Sequence, residues 1–106
     1  VSLQICAGKA YEKADSELNS VYGQVRASLQ DRASRLQRLT EAQRAWIAFR
    51  DAECAFVASG LEGGSAQSMV QAQCLEAETV RRTASLRALL TCEEGDLSCP
   101  TPGARP

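Results

Sequence analysis

The segment from Gln43 to Cys54 constrains most strongly what this chain can fold into. On an α-helix, residues three, seven and eleven positions after a given residue lie on the same face. In this segment that face is formed by Gln43, Trp46, Arg50 and Cys54. It combines an aromatic anchor with a cation and a thiol, a mixture that an ordinary amphipathic helix does not require. The segment therefore predicts a helix whose buried face holds a polar contact and a disulfide.

Composition favours a single all-α domain. The chain has 106 residues, which suits one domain, and its abundant Ala, Leu, Gln, Arg and Glu form helices well. The net charge of −1 gives no single-sign field for nucleic acid or anionic membrane, and no apolar run approaches the ~18 residues of a membrane span. Because the chain starts at Val1 without a signal peptide, we expect a form whose targeting segment has been removed.

Hydrophobic residues recur at spacings of three and four along most of the chain. They predict three helices, at about 7–29, 32–58 and 66–90. Short connections favour an antiparallel up-down-up arrangement in a domain that covers residues 1–91. Residues 92–106 carry three Pro and two Gly, so they cannot continue a helix and are expected to form an irregular tail.

The start of the second helix is ambiguous in the sequence. Thr40 fits a capping box and would begin the helix one residue later, whereas Asp31 could cap an earlier start. We favour the earlier start because Leu36 and Leu39 then extend the apolar stripe. For the third helix, Ser65 follows a Gly-rich loop and is the predicted N-cap.

Five cysteines in a chain of this length favour disulfides formed in an oxidising compartment. The sequence has neither a CxxC pair nor a His, which argues against zinc. We predict the pairs Cys54–Cys74 and Cys92–Cys99, the second closing the tail into a small ring. Cys6 is then unpaired, or paired with a residue outside this chain. The predicted geometry also lets Cys6 compete for Cys54 or Cys74.

Catalytic constellations are not evident. Without His, the usual general base and the commonest metal ligand are both missing. Asp51 and Glu53 diverge around a helix, so they do not form the paired carboxylates of a glycosidase. The loop 60–65 precedes a helix but lacks the pattern and the Lys of a phosphate-binding loop. We therefore predict a protein that is not an enzyme and that uses no cofactor and no metal.

Three charged residues fall on otherwise apolar helix faces. Asp15 lies inside the stripe of the first helix, Arg50 lies beside Trp46 on the second, and Arg82 lies on the third. A carboxylate that faces one or two guanidinium groups would satisfy them, whereas burying them unpaired would be costly. Together with Trp46, we interpret these three residues as a structural polar core rather than a ligand site.

The segment Glu62, Gly63, Gly64 and Ser65 has the composition of an exposed contact loop. We take it as the candidate partner-binding segment. A plain connection between two helices is the alternative, and the residues alone do not decide between the two.

Three groups of residues, in order between positions 6 and 90, form a recognisable pattern. The first is Cys6-Ala, Tyr11, Ala14-Asp15, Leu18-Asn19 and Tyr22. The second is Gln43-Arg-Ala-Trp46 with Arg50-Asp51-Ala-Glu-Cys54. The third is Gly63-Gly-Ser65, Cys74-Leu75, Thr79, Arg82 and Leu86. This pattern resembles the LprI-type lysozyme inhibitor domain, formerly a domain of unknown function.

The resemblance implies a small helical domain of bacterial envelope proteins that are secreted, periplasmic or lipid-anchored. For some members it implies inhibition of lysozyme, but the family defines no inhibitory residues to carry over. A lipid-anchor Cys at the N-terminus is not seen, so anchoring is not supported. Animal c-type lysozymes are cationic, so we expect Glu62, on the turn formed by Gly63 and Gly64, to make the contact. The alternatives are an envelope adaptor module that binds another protein or a wall component, and a redox role for Cys6.

Overall fold

The computed structural model describes residues 3–93 and 95–103, and most of them are helical. The elements are α1 (Leu3–Ser28), α2 (Ala33–Ala58), a short 3₁₀ helix (Ser59–Leu61) and α3 (Gln67–Thr91). The predicted all-α class is confirmed. Relative to the predicted 7–29, helix α1 begins earlier, at Leu3, whereas the other predicted boundaries lie close to the observed ones.

The three helices run up, down and up, as predicted. At one end of the bundle the Gln4 side chain donates to the Ser65 carbonyl, which places the start of α1 beside the start of α3. Cys54 near the end of α2 is bonded to Cys74 near the start of α3. Helix α2 is therefore antiparallel to both neighbours, in a body of 51 × 25 × 20 Å.

The apolar core lies mainly between α1 and α3. Helix α1 buries Leu18, Val21 and Val25 at helical spacing. These residues, together with Leu29 just after the helix, pack with Leu86 of α3. Helix α2 differs, because its buried residues are Gln43, Arg50, Cys54 and Ala58. Its larger apolar side chains, such as Leu39 and Trp46, are only partly buried against the core. Helix α2 is therefore held by polar contacts and a disulfide as much as by apolar area.

The predicted helix caps are wrong. Helix α2 begins after Arg32, with no side-chain cap, and the Asp31 carboxylate lies 4.0 Å from the Arg32 guanidinium instead. Helix α3 begins after Ala66, not Ser65, and also lacks a side-chain cap. The first turn of α3 is anchored through the Ser65 carbonyl, which accepts from Gln4 on α1. This contact with α1 joins distant parts of the chain, and the sequence does not indicate it.

The tail folds back onto the bundle. The predicted Cys92–Cys99 bridge is present, with its Cα atoms 5.7 Å apart. Thr101 is buried, and its hydroxyl donates to the Leu89 carbonyl at the end of α3. Gly103 has φ +63°, and an added Cβ there would overlap the Cys92 carbonyl oxygen. The tail is irregular, as predicted, but its described part is docked.

Candidate functional site

A polar cluster between the three helices is centred on Arg50, whose side chain is 9% exposed. Its Nη1 lies 4.0 Å from the Asp15 carboxylate of α1 and 3.5 Å from the Thr79 hydroxyl of α3. Its Nε donates to the Asp51 carboxylate at 3.0 Å. One guanidinium group therefore joins all three helices, and two carboxylates compensate its charge. Removing it would leave these partners without their common cation.

Aromatic rings complete the surroundings of this cation. The Arg50 guanidinium carbon lies 5.0 Å from the centre of the Trp46 ring and 5.6 Å from that of Tyr11. Arg82 approaches the same Trp46 ring at 6.0 Å, and its Nε donates to the Gln43 side-chain oxygen at 2.9 Å. These distances are those of cation–π contacts. Trp46 is thus a partner of two guanidinium groups.

The structure brings Asp15, Arg50, Arg82 and Trp46 into one region, with two departures from the expected pairing. Asp15 approaches Arg50 alone, and its side chain is 42% exposed. Arg82 is neutralised by no carboxylate in the described part of the chain and uses the Gln43 amide instead. Sequence reasoning missed Asp51 as the nearer partner of Arg50. The signal was their adjacency, since a long guanidinium side chain can fold back to the next residue.

Two side chains of the cluster have shifted pKa values, and burial is the main cause of both shifts. Burial raises the pKa of Tyr11 above its ordinary value of 10.0. Arg50 opposes that rise, while Asp15 and Asp51 add to it. Burial lowers the pKa of Arg82 below its ordinary value.

The cysteine pairing is settled by the geometry of the bundle. Cys54 is fully buried and bonded to Cys74, with their Cα atoms 5.5 Å apart. Cys6, near the start of α1, is exposed and free. The predicted Cys54–Cys74 pairing is confirmed over the competing pairings of Cys6.

The predicted contact loop closes one end of the bundle. The Glu62 amide donates to the Ser59 carbonyl at 3.4 Å, and the Gly64 amide donates to the Leu61 carbonyl at 2.9 Å. Gly63 has φ +81°, a left-handed conformation that favours glycine. Residues 59–65 are all exposed. The loop is thus a turn with defined internal hydrogen bonds that presents Glu62 to solvent.

Large apolar side chains accompany this loop, and sequence reasoning missed them. Phe56 is 72% exposed, at the end of α2 and one helical turn before the 3₁₀ helix. Val57 and Leu61 are also exposed, as is Leu3 at the same end of the bundle. Their positions on the helix could have revealed them. Cys54 and Ala58 lie on the buried face of α2, so Phe56 and Val57 between them point away from it. We call Leu3, Phe56, Val57, Leu61 and Glu62 the loop-end surface.

The described residues hold neither a cluster of metal-ligating side chains nor a membrane-spanning helix. In residues 3–93 and 95–103, no three carboxylate or thiol side chains come together as a metal site would require. Over the same residues, no helix combines the length and apolar character needed to cross a membrane.

Fold and site together define a small, disulfide-stapled three-helix domain with a polar core and an exposed loop end. Residues 1–86 match the model of the family described as lysozyme inhibitor LprI. The uncharacterised protein R02472 of Rhizobium meliloti (strain 1021) is 38% identical over 105 residues, covering 89% of this chain and 76% of that protein. No solved structure gives a significant match. The chain belongs to the LprI lysozyme inhibitor family.

Proposed function

We propose that this chain is a secreted or periplasmic bacterial protein that binds lysozyme through its loop-end surface and blocks the enzyme's cleft. The observation that carries the proposal is the exposed Phe56 at the end of α2 that leads into the Glu62 loop, in a chain whose family is named for lysozyme inhibition. Binding, rather than catalysis, is the mode of action. The polar cluster around Arg50 is then scaffold and not the contact.

The composition of the loop-end surface suits a cationic partner with a concave site. Glu62 supplies an exposed carboxylate on the turn formed with Gly63 and Gly64. Phe56 and Leu61 supply apolar area, and large side chains of this kind dominate the energetics of protein interfaces. Charge steers the encounter while the apolar anchors hold the complex.

The Cys54–Cys74 bridge prepares this surface for binding. It joins the end of α2 to the start of α3, so it closes the segment of chain that carries the 3₁₀ helix and the Gly63 turn. A loop fixed at both ends loses less conformational freedom on binding, and the affinity gains accordingly. Two disulfides also suit an oxidising compartment, which supports the proposed location outside the cytoplasm.

Inhibition assays on bacterial cell walls test the proposal. Purified protein is added in micromolar excess to an animal c-type, a goose-type and an invertebrate-type lysozyme, and the clearing of the suspension is followed. We expect inhibition of at least one type. Unchanged clearing with all of them would overturn the proposal.

A charge-reversal pair locates the contact. Glu62→Arg removes the proposed acidic contact, whereas Glu12→Arg makes the same change on an exposed position of α1 away from the loop. We expect Glu62→Arg to weaken inhibition roughly tenfold, the ratio that corresponds to one good interfacial contact, and Glu12→Arg to leave it near the parental value. Equal effects of the two changes would place the contact elsewhere.

An adaptor role in the envelope is the second candidate, and one observation favours it. The outer face of α2 exposes Phe49, two helical turns before Phe56, with Ala45 and Ala52 exposed on the same side. An inhibitor acting through the loop alone would not need this stripe. A pull-down from periplasmic extract that recovers a defined partner through Phe49, together with no lysozyme inhibition, would favour the adaptor.

A further inference from the structure

An apolar pocket lies at the end of the bundle opposite the loop. Its walls come from all three helices, the turn after α1 and the tail: Val25 of α1, Leu29 just after α1, Leu39 of α2 and Leu89 of α3, with Pro100 on one side. Its volume of about 380 Å³ falls within the roughly 300–1,000 Å³ of small-molecule sites. An apolar cavity of this size at a junction of helices has the shape of a ligand site.

Three arginines line the same pocket. Arg35 and Arg38 belong to the first turns of α2, and Arg82 is the half-buried arginine of the polar cluster on α3. Arg38 has an exposed ion pair with Glu41 at 3.8 Å, which contributes little. Arg35 donates to the Pro100 carbonyl at 3.3 Å, and Arg82 donates to the Gln43 amide oxygen.

Two of these arginines, Arg35 and Arg82, have no counter-charge among the described residues. Within the described part of the chain, neither Arg35 nor Arg82 has a carboxylate oxygen within ion-pair distance. Burying a cation without a counter-charge is unfavourable, and an anion arriving beside Arg82 would offset that cost. The pocket therefore combines apolar walls with a positive potential at its edge.

We infer that this pocket binds a single-chain anionic amphiphile of the fatty-acid class, with the carboxylate held by the arginines and the chain against the leucines. A peptide fits less well, because its backbone would need hydrogen-bonding partners inside the pocket. The polar groups of the tail wall are already used: the Thr101 hydroxyl donates to Leu89, and the Pro100 carbonyl accepts from Arg35. The site is independent of the loop-end surface, which lies at the other end of the bundle.

Calorimetric titration with dodecanoate, below its micelle concentration, tests this assignment. The comparison ligands are dodecyltrimethylammonium, which keeps the chain and reverses the charge, and acetate, which keeps the carboxylate and lacks the chain. We expect one dodecanoate per protein, bound at least roughly tenfold tighter than either comparison ligand. Equal affinity for the cationic ligand would show non-specific apolar binding and overturn the proposal.

Matched variants locate the site. Ala42 lines the pocket, and Ala45 is exposed on the same helix outside it, so Ala42→Trp fills the cavity while Ala45→Trp controls for the added indole. Arg38→Gln removes a lining cation, and Arg44→Gln removes an exposed one that does not line the pocket. We expect Ala42→Trp to abolish dodecanoate binding and Arg38→Gln to weaken it severalfold, with both control variants at the parental affinity. Binding that survives Ala42→Trp would overturn the assignment, whatever the effect on lysozyme.

Discussion

The guanidinium carbon of Arg50 lies 5.0 Å from the centre of the Trp46 ring, one helical turn earlier on the same face of α2. The pair explains how a helix with so few buried apolar residues is held in place. Trp46 covers the cation on one side, and the cation in turn reaches the other two helices through Asp15 and Thr79. We therefore propose that this contact helps to fix the register of α2 against the α1–α3 core.

Replacing Arg50 by Ala should destabilise the fold far more than replacing Asp15. The Arg50 side chain is 9% exposed and has partners on all three helices, so Arg50→Ala should cost ~3 kcal/mol or more. The Asp15 side chain is 42% exposed, and Asp51 still compensates Arg50 in its absence, so Asp15→Ala should cost ~1 kcal/mol or less. Urea unfolding followed by Trp fluorescence gives both values.

The exposed Arg44 on the same helix supplies the control for that comparison. Arg44→Ala removes an identical side chain from solvent and should stay within ~0.5 kcal/mol of the parent. Losses of equal size for Arg44→Ala and Arg50→Ala would show that the cluster does not hold α2.

The Cys54–Cys74 bridge should be the more important of the two disulfides. It closes a loop with a sequence separation of 20, for which the loop-entropy relation gives ~3 kcal/mol. The Cys92–Cys99 ring has a sequence separation of 7, for which the same relation gives a stabilisation of ~2 kcal/mol. Thermal unfolding of the two double Cys→Ala variants measures the order. A larger loss for the tail ring would contradict this ranking.

Helical spacing predicted the buried face of α2, because the period of the helix decides which side chains share that face. The antiparallel arrangement favoured the Cys54–Cys74 pair but left Cys6 as a competing partner, and the structure decides between them. The choice between Asp15 and Asp51 as the closer partner of Arg50 did not follow, because side-chain reach and rotamer decide it. Periodicity identifies which face is buried, but not which atoms meet there.

Features that depend on contacts between distant segments could not be predicted. Helix α3 begins after Ala66 rather than after Ser65, and the Ser65 carbonyl accepts from Gln4, far away in sequence. Thr101 lies in a segment without periodicity, and its burial depends on the Cys92–Cys99 ring returning the chain to Leu89. The exposure of Phe56 was not predicted, because the helical pattern identifies the buried face and says little about an apolar residue outside that face.

Tyr11 should make stability depend on pH in the alkaline range. Its pKa is raised in the folded state, mainly by burial, so the folded chain holds the phenol proton more tightly than the unfolded chain. That stabilisation is complete below the ordinary pKa of 10.0 and is lost as the pH rises through the folded value.

The chain has two Tyr residues, so a Tyr22→Phe variant isolates the ultraviolet titration of Tyr11. We expect its midpoint above 10.0 in the folded protein and a return to the ordinary value in urea. In a Tyr11→Phe variant, the corresponding loss of stability at alkaline pH should be absent. A folded-state midpoint at or below 10.0 would show that the ring is not desolvated as described.

Cys6 should be the reactive thiol of the folded chain. It is exposed and free, whereas Cys54, Cys74, Cys92 and Cys99 are in disulfides. Titration with a chromogenic disulfide reagent should detect one thiol per folded chain and also one in denaturant. After reduction it should detect five thiols. Three equivalents in denaturant without reductant would show that one bridge is absent.

The affinity of Phe56→Ala for lysozyme, measured against Phe49→Ala, tests the central claim most directly. Both changes remove an exposed Phe from α2, and only Phe56 belongs to the loop-end surface. With a lysozyme that the parent inhibits, calorimetry should show Phe56→Ala weakened at least roughly tenfold and Phe49→Ala close to the parent. Parental affinity for Phe56→Ala, or a greater loss for Phe49→Ala, would contradict a contact made through the loop end.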